Sequence, residues 1–398
     1  MLTDALWDWD YFMSELVVKG RSKIKRFNMD FDYSMLFIVL FLLMFGLVML
    51  YSTSSYEANL KFGNSAYYFK KQAIATGIGL VVMIVTMFID YHILSKFAFI
   101  GYVVSFVLIL LVLTPLGYEV NGARRWLNLG LSLQPAEVAK LALIIFFAGM
   151  VVRMGERVKT MKGLVFLFGL AFPHAICVLT ITENMSSAII IAGIVLVMVF
   201  VATPNYKEYF MIAAVIIVLA TAVVLLVKYD ILPEGMSFRL SRIKAWLDPS
   251  AYASTKGFQT LQALYAIGSG DIFGKGLGES IQKLGFLPEA QNDMIFSIIC
   301  EELGLFGAIA IMGMFFILIW RLMIIATHAE DMYGAMLTIG VMAHISIQVI
   351  LNIAVVTNTI PNTGISLPFI SYGGSSVVFL LVEIGIALNV SRSKSAEE

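Results

Sequence analysis

The sequence predicts an all-α, polytopic membrane protein of about ten transmembrane helices, with a large extracytoplasmic loop between the seventh and eighth. Three observations carry that reading. The 398 residues are 60% hydrophobic and only 14% charged, well above the roughly 45–50% apolar content of soluble domains. Mean hydropathy is +0.88. Ten apolar stretches approach or exceed the ~20 residues a spanning helix needs. Formal net charge is zero, so nothing global points to nucleic acid, and each charge has to be read by its position.

The chain opens with residues 1–33, a mixed, amphipathic stretch carrying Lys19, Arg21, Lys23, Lys25 and Arg26. No cleavable signal pattern precedes the first full-length span, so that span is expected to stay as an anchor with its basic flank in the cytoplasm. The extension itself would lie on anionic lipid or bind a cytoplasmic protein. The spans fall near residues 34–53, 70–89, 93–116, 135–152, 162–181, 184–203, 209–228, 293–321, 333–357 and 366–390. Together, residues 34–390 form the transmembrane domain, with residues 229–292 as its outer loop and residues 391–398 as a cytoplasmic tail. The loop with Arg153, Arg157, Lys159 and Lys162, together with Arg321, Arg392 and Lys394, then obeys the positive-inside rule. Both termini are expected in the cytoplasm. Cys177 and Cys300 sit inside apolar runs and read as small core residues, because no Cys/His cluster has metal-ligand spacing.

Several stretches depart from plain span-and-loop. Asn121-Gly122-Ala123-Arg124-Arg125-Trp126 places two arginines on the outer face against the charge rule. Pro135, Glu137 and Lys140 open the fourth span; the acid and base at i, i+3 share one face of an apolar helix and should pair. That pair either fixes helix packing or faces a cavity directly. Arg239, Arg242 and Trp246 line one face of a short amphipathic helix ended by Pro249, suited to the membrane surface. Gly268 to Gly278 resembles a phosphate loop but has Gly276 where a magnesium-binding Ser or Thr would stand. Its glycines are expected to let the loop fold tightly against helices or approach a ligand closely. His344 in the ninth span reads as hydrogen-bonded core. At least one of Glu301 and Glu302 must face inward, and Glu383 in the tenth span raises the same choice between packing and function. The stretch Gly285 to Phe296 brings Glu289, Gln291, Asn292 and Asp293 to the edge of an apolar run, where Asp293 serves either as a helix cap or as a site carboxylate.

Four of these motifs, with Leu367 to Ser376 as the last, resemble the SEDS family (shape, elongation, division and sporulation) over nearly the whole chain after the extension. Ala290 and the Asn-Gly-Ala-Arg-Arg-Trp form place it closest to the FtsW branch. The resemblance implies a glycosyltransferase that polymerises lipid II into glycan strands for the division septum. Its implied partners are a class B penicillin-binding protein and other divisome membrane proteins, and its setting is the bacterial inner membrane. Asp293 matches the catalytic aspartate of the family. Glu137 and Lys140 match its ion pair beside the cavity, and Arg125 and Trp126 match its outer-loop motif. Two departures stand out: Gln291-Asn292 replaces the usual His-Thr, and Glu183-Asn184 replaces Pro-Asp.

The chemistry suits one essential carboxylate. A donor that is an α-linked pyrophosphate yields a β-linked polymer by one inverting displacement, and pyrophosphate leaves without the second carboxylic acid an inverting glycosidase requires. Asp293 is therefore expected to be the general base, with Glu289 as the alternative. Lys140, Arg125, Arg239 or Arg242 would hold the pyrophosphate, and Ser375 joins the expected substrate contacts. No cofactor is required; a divalent cation (Mg or Mn) could share the charge. The rival readings are a lipid II flippase, a RodA-like elongation polymerase and a non-catalytic scaffold. Translocation without polymer would mark the flippase, and normal septation by site variants would mark the scaffold.

Overall fold

In the computed structural model, residues 31–393 are described apart from 121, 129–131, 204–205, 230–237 and 256. The N-terminal extension, Asn121 and the last residues of the tail lie outside them. Ten helices are long and apolar enough to cross a membrane: α1 Tyr33–Phe62, α2 Tyr67–Phe88, α3 His92–Leu111, α4 Pro135–Met154, α5 Met161–Thr180, α6 Met185–Ala202, α7 Tyr206–Lys228, α10 Ile295–Thr327, α11 Met332–Val356 and α12 Gly374–Ser393. Two shorter helices, α8 Phe238–Leu247 and α9 Phe258–Ser269, occupy the long connection. Cys177 and Cys300 are free thiols.

Successive spanning helices run in alternate directions, so their connections gather at two ends. At one end Arg321 closes on Asp32 at 2.6 Å, and the Asp32 amide donates to Ser391 Oγ. The two ends of the described chain thus meet there. The other end collects the described residues around 62, 117–128, 132–133, 182–186, 242–294 and 358–373, and α4 starts there with Glu137 in its first turn. We call it the site end.

Four departures from the expected elements have physical causes. Helix α1 runs 30 residues rather than stopping near 53; at 1.5 Å per residue it is about 45 Å long, more than the ~30 Å hydrocarbon core. Its last turns therefore carry Glu57 and Lys61 beyond the apolar layer. The third span ends at Leu111 because Pro115 and Gly117 turn the chain into a three-stranded antiparallel sheet, β1 Gly117–Val120, β2 Ala123–Asn128 and β3 Ser132–Leu133. The last span begins at Gly374 rather than 366, since Pro368 and the positive φ of Phe369 (64°) forbid helix there.

The fourth departure lies in α10, which is broken at Gly304 (φ 67°, ψ −167°). A break in a membrane helix leaves backbone groups that only protein can satisfy. Here the 270–276 loop inserts into the gap. Amides of Lys275 and Gly276 donate to the carbonyls of Glu301 and Glu302, both at 2.9 Å, and the Asp271 and Ile272 carbonyls accept from Leu305 and Phe306. A Cβ on Gly274 would stand 2.2 Å from the Glu302 carbonyl oxygen, so this glycine is there for close approach. The glycine-rich stretch is a backbone plug, as one of its two sequence readings anticipates.

Both glutamates of the broken helix face inward and are fully buried. Glu301 accepts from Lys275 Nζ at 2.7 Å, Ser280 Oγ at 2.5 Å and the Ile281 amide at 3.2 Å. Glu302 accepts from Lys283 Nζ at 2.7 Å and from Ser52 Oγ of α1 at 2.8 Å. These buried charges are paired and hydrogen-bonded, the condition under which a low-dielectric interior tolerates them. They fasten the 275–283 loop to α1 and α10 directly behind the segment that carries Asp293.

Candidate active site

Residues 285–294 approach α10 as a series of turns. Gly285 and Glu289 both have positive φ (94° and 55°), and the Glu289 carbonyl accepts from the Asn292 amide. Helix α10 starts at Ile295 with Met294 at the cap position, and no side chain caps it. Asp293 is thus not the helix cap, one of its two sequence readings. Its carboxylate is directed elsewhere: Oδ1 lies 3.5 Å from Gln259 Nε2 of α9, and a Cβ on Gly364 would lie 3.7 Å from Oδ2.

Asp293 is only 9% exposed. Burial pushes its carboxyl up from 3.8 to about 7, Glu289 adds a like charge, and Arg242 partly opposes the rise. A carboxylate in this state is a usable base at neutral pH, because its basicity matches the proton it has to accept.

Gln259 joins the parts of the site. Its amide nitrogen also donates to the Pro288 carbonyl at 3.2 Å, and its oxygen accepts from Asn362 Nδ2 at 2.9 Å. Beside it opens a cavity of about 270 Å³, edged by Arg242, Trp246, Phe258, Gln259, Pro288 and Asn362. That lies just under the ~300–1,000 Å³ of small-molecule clefts, so it admits a group the size of a sugar ring or a pyrophosphate. Helix α8 presents Arg242 and Trp246 to this cavity: Arg242 Nη1 donates to the Asn362 carbonyl at 3.3 Å, and Trp246 Nε1 donates to that of Asn358 at 3.0 Å. The expected amphipathic helix is therefore present, but part of its face packs on the 358–362 loop. The side chain of Arg239 lies outside the described residues.

Arg125 reaches from β2 to the α5–α6 connection, donating to the carbonyls of Thr182 and Glu183 at 3.2 and 3.0 Å. Burial and the nearby Arg242 lower its pKa, while Glu183 offsets part of that. Two guanidinium groups that destabilise one another make a place where an anion is welcome. Trp126 is half-buried opposite Tyr118 in the sheet, and no described contact ties it to Asp293. Asn184 caps α6 by accepting from the Ser187 amide at 3.0 Å. Asn and Asp cap equally well, which accounts for the amide at that position.

Glu137 and Lys140 pair in the first turns of α4, with no described contact to Asp293, Gln259 or Arg242. Lys140 Nζ lies 2.8 Å from Glu137, both side chains are buried, and Ser376 Oγ donates to the same carboxylate at 3.1 Å. His344 is bonded to Glu383 at 2.8 Å, as core hydrogen bonding for His344 anticipates. Ser375 Oγ is buried without a partner among the described residues; its neighbours Ser371 and Ser376 are the serines that make contacts. Gln291 and Asn292 each hold a carboxylate: Gln291 donates to Glu57 at 2.8 Å, and Asn292 donates to Glu289. Sequence reasoning missed Glu57, Gln259, Asn352 and Asn362. Only Asn352 left a signal, lying with His344 and Gln348 at i, i+4, i+8 along an apolar span. No three His, Cys, Asp or Glu side chains gather to hold a metal ion among the described residues.

Comparison with known proteins agrees with this architecture. The FtsW/RodA/SpoVE family, described as cell cycle protein, matches residues 33–396. The chain is 39% identical over 364 residues to a probable peptidoglycan glycosyltransferase FtsW of Trichlorobacter lovleyi, covering 91% of this chain and 93% of that one. It is 38% identical to stage V sporulation protein E of Bacillus subtilis, covering 91% and 97%. Among solved structures, a chain reported under the structural coordination of polymerization and crosslinking by a peptidoglycan synthase complex is similar at TM-score 0.76 and 26% identity, covering 93% of this chain and 100% of that one. The rod shape determining protein RodA of Thermus thermophilus is similar at TM-score 0.65 and 25% identity, covering 93% and 99%. With a match along nearly the whole described length, the chain belongs to the FtsW/RodA/SpoVE family of cell cycle proteins.

Proposed function

We propose that this protein is a peptidoglycan glycosyltransferase that polymerises lipid II into β-1,4 glycan strands, with Asp293 as general base. One observation carries the assignment: a single buried carboxyl, raised to about 7, stands beside a cavity edged by Arg242, with Arg125 close by. Asp293 takes the proton from the 4-hydroxyl of the acceptor sugar. The freed oxygen bonds to the anomeric carbon of the donor, whose bond to the undecaprenyl pyrophosphate oxygen breaks with inversion. The pyrophosphate leaves with its electron pair, and Arg242 and Arg125 meet the charge it gains. Stabilisation of developing charge is usually the largest single catalytic contribution. We assign no resident cofactor; a divalent cation (Mg or Mn) would enter with the pyrophosphate.

Buried Lys140, closed on Glu137, supports the bundle rather than the leaving group in this reading. The site end faces outward, where lipid II presents its sugars, and the described termini face the cytoplasm. Arg153, Arg157 and Arg321 at the opposite end support that orientation. The partners are a class B penicillin-binding protein that cross-links the strands, other divisome proteins and membrane lipid, and the location is the division septum.

The test is polymerisation of purified lipid II, with the partner transpeptidase present, by Asp293→Ala and Asp293→Asn variants whose fold in detergent has been verified. Both should make no glycan. A well-folded Asp293→Ala variant that still polymerises would overturn the assignment.

A further inference from the structure

The segment before α10 is irregular backbone in a buried setting, so each of its carbonyls needs a donor. Three in a row find one, each from a different source. The Gln291 carbonyl accepts from the Tyr372 amide at 2.9 Å, that of Asn292 from Ser371 Oγ at 2.6 Å, and that of Asp293 from Asn352 Nδ2 at 2.8 Å. The donors are themselves tied together. Asn352 also donates to the Ile365 carbonyl at 2.6 Å, and Ser371 Oγ accepts from the Leu367 amide at 2.8 Å. One turn earlier on α11, Gln348 donates to the Ser366 carbonyl at 3.0 Å. Asn352 and Gln348 are buried at 0% and 2% exposure.

We propose that Ser371 and Asn352 are positioning residues for Asp293: with the Tyr372 amide they clamp the three consecutive carbonyls of Gln291, Asn292 and Asp293 and so fix where the Asp293 carboxylate points. The proposal rests on Asp293 being the base. Holding three adjacent peptide planes leaves the Asp293 side chain little freedom beyond rotation about its own bonds. It keeps the carboxylate at Gln259 and beside Gly364 rather than letting it turn to the helix end, where cap geometry would draw it. It also keeps the carboxyl buried, and burial is the leading cause of its raised pKa, ahead of the like charge of Glu289 and against the opposing charge of Arg242. The Leu367 to Ser376 motif thus serves the chemistry through Ser371, which bonds to the site backbone.

The experiment measures kcat, KM for lipid II, melting temperature and the pH profile of polymerisation for Ser371→Ala, Ser371→Thr, Asn352→Leu and Asn352→Asp. Ser371→Ala and Asn352→Leu should lower kcat about 10- to 100-fold, the cost of misplacing a reacting group by about an ångström, with KM within about two-fold. The acid limb of the profile should move below about 7 as the carboxyl gains water. Ser371→Thr, which keeps the hydroxyl, should recover most of the rate. Asn352→Asp keeps the shape but removes the amide donor, so it should lower kcat as Asn352→Leu does and stands in for it on that readout if that variant does not fold, while its added like charge moves the acid limb up rather than down. Variants that melt normally and retain both kcat and the acid limb would overturn the clamp. So would losses that follow melting temperature alone with the acid limb unmoved, or failure of all four variants to fold, since no positioning role would then be separable from folding. An active Asp293→Ala variant would instead refute the base itself, so the two failures are distinguishable.

Discussion

Replacing Glu289 with glutamine should move the acid limb of the pH–rate profile downward. Asp293 sits at about 7 because of burial first and the neighbouring Glu289 second. Raising it from 3.8 to about 7 corresponds to roughly 4 kcal/mol against the ionised form, at 1.36 kcal/mol per pKa unit. The sign follows from the role: a base works ionised, so the native rate should fall tenfold per pH unit below about 7 and level off above it. Glu289→Gln removes one carboxylate charge while its side-chain oxygen still accepts from Asn292. A neighbouring like charge raises a carboxyl, so without Glu289 the limb should move down by on the order of 1 pH unit. The activity plateau would then extend to lower pH, with a weaker base at the plateau itself. The measurement is the initial polymerisation rate at subsaturating lipid II between about pH 5 and pH 8.5, on protein of verified fold. A native acid limb near 4 would refute the buried-base reasoning, and an unmoved limb in Glu289→Gln would refute the like-charge part of it.

Three further outcomes follow from the packing. Lys283→Met should lower the melting temperature sharply by leaving Glu302 buried and unpaired, a loss of about 3–5 kcal/mol, and the Lys283→Met/Glu302→Gln double variant should regain much of it. If the double variant melts no higher than the single, the buried-charge explanation fails. Gly274→Ala should prevent stable folding because its Cβ would meet the Glu302 carbonyl at 2.2 Å, whereas Gly278→Ala, with open space around it, should cost only the ~1–2 kcal/mol of a left-handed residue; equal melting of the two variants would contradict the plug. Exchanging the α4 pair as Glu137→Lys with Lys140→Glu should recover activity only partly, since Glu137 also accepts from Ser376. Full recovery in the polymerisation assay would make the pair a simple packing contact, indifferent to its direction.

Much of this architecture is legible in the sequence, because length and apolar content fix a membrane helix almost by themselves. The paired charges of α4 are legible for the same reason, since Glu137 and Lys140 at i, i+3 have nowhere else to go. The backbone chemistry is hidden. Nothing in the letters says that Gly304 breaks a helix, or that Lys275 and Gly276 lend it their amides, because every residue but proline carries the same donor. Asp293 illustrates the limit well. Its neighbours make it look like a cap, and only the turns at Gly285 and Glu289, read with Gln259 from a helix 34 residues away, show that it is not one. By hydropathy the last span reads from 366 rather than Gly374, because the small and apolar residues before it continue the pattern of α12, while Pro368 and the backbone of Phe369 bar helix.

The start of α10 after Asp293 reconciles two demands that a helix running through that residue could not meet together. A base that works at neutral pH has to be withdrawn from water, yet a charged group withdrawn into apolar surroundings drifts toward any dipole that will neutralise it. Starting the helix at Ile295, two residues after Asp293, and holding the carbonyls of Gln291, Asn292 and Asp293 from Tyr372, Ser371 and Asn352, denies the carboxylate that escape. The neighbouring half-helix is then free to be short, because Glu301 and Glu302 anchor it to the inserted loop and to α1. The buried charges behind the site thus hold the scaffold rigid, and Asp293, with no cationic partner at bonding distance among the described residues, has the proton affinity that the proposed reaction asks of its base.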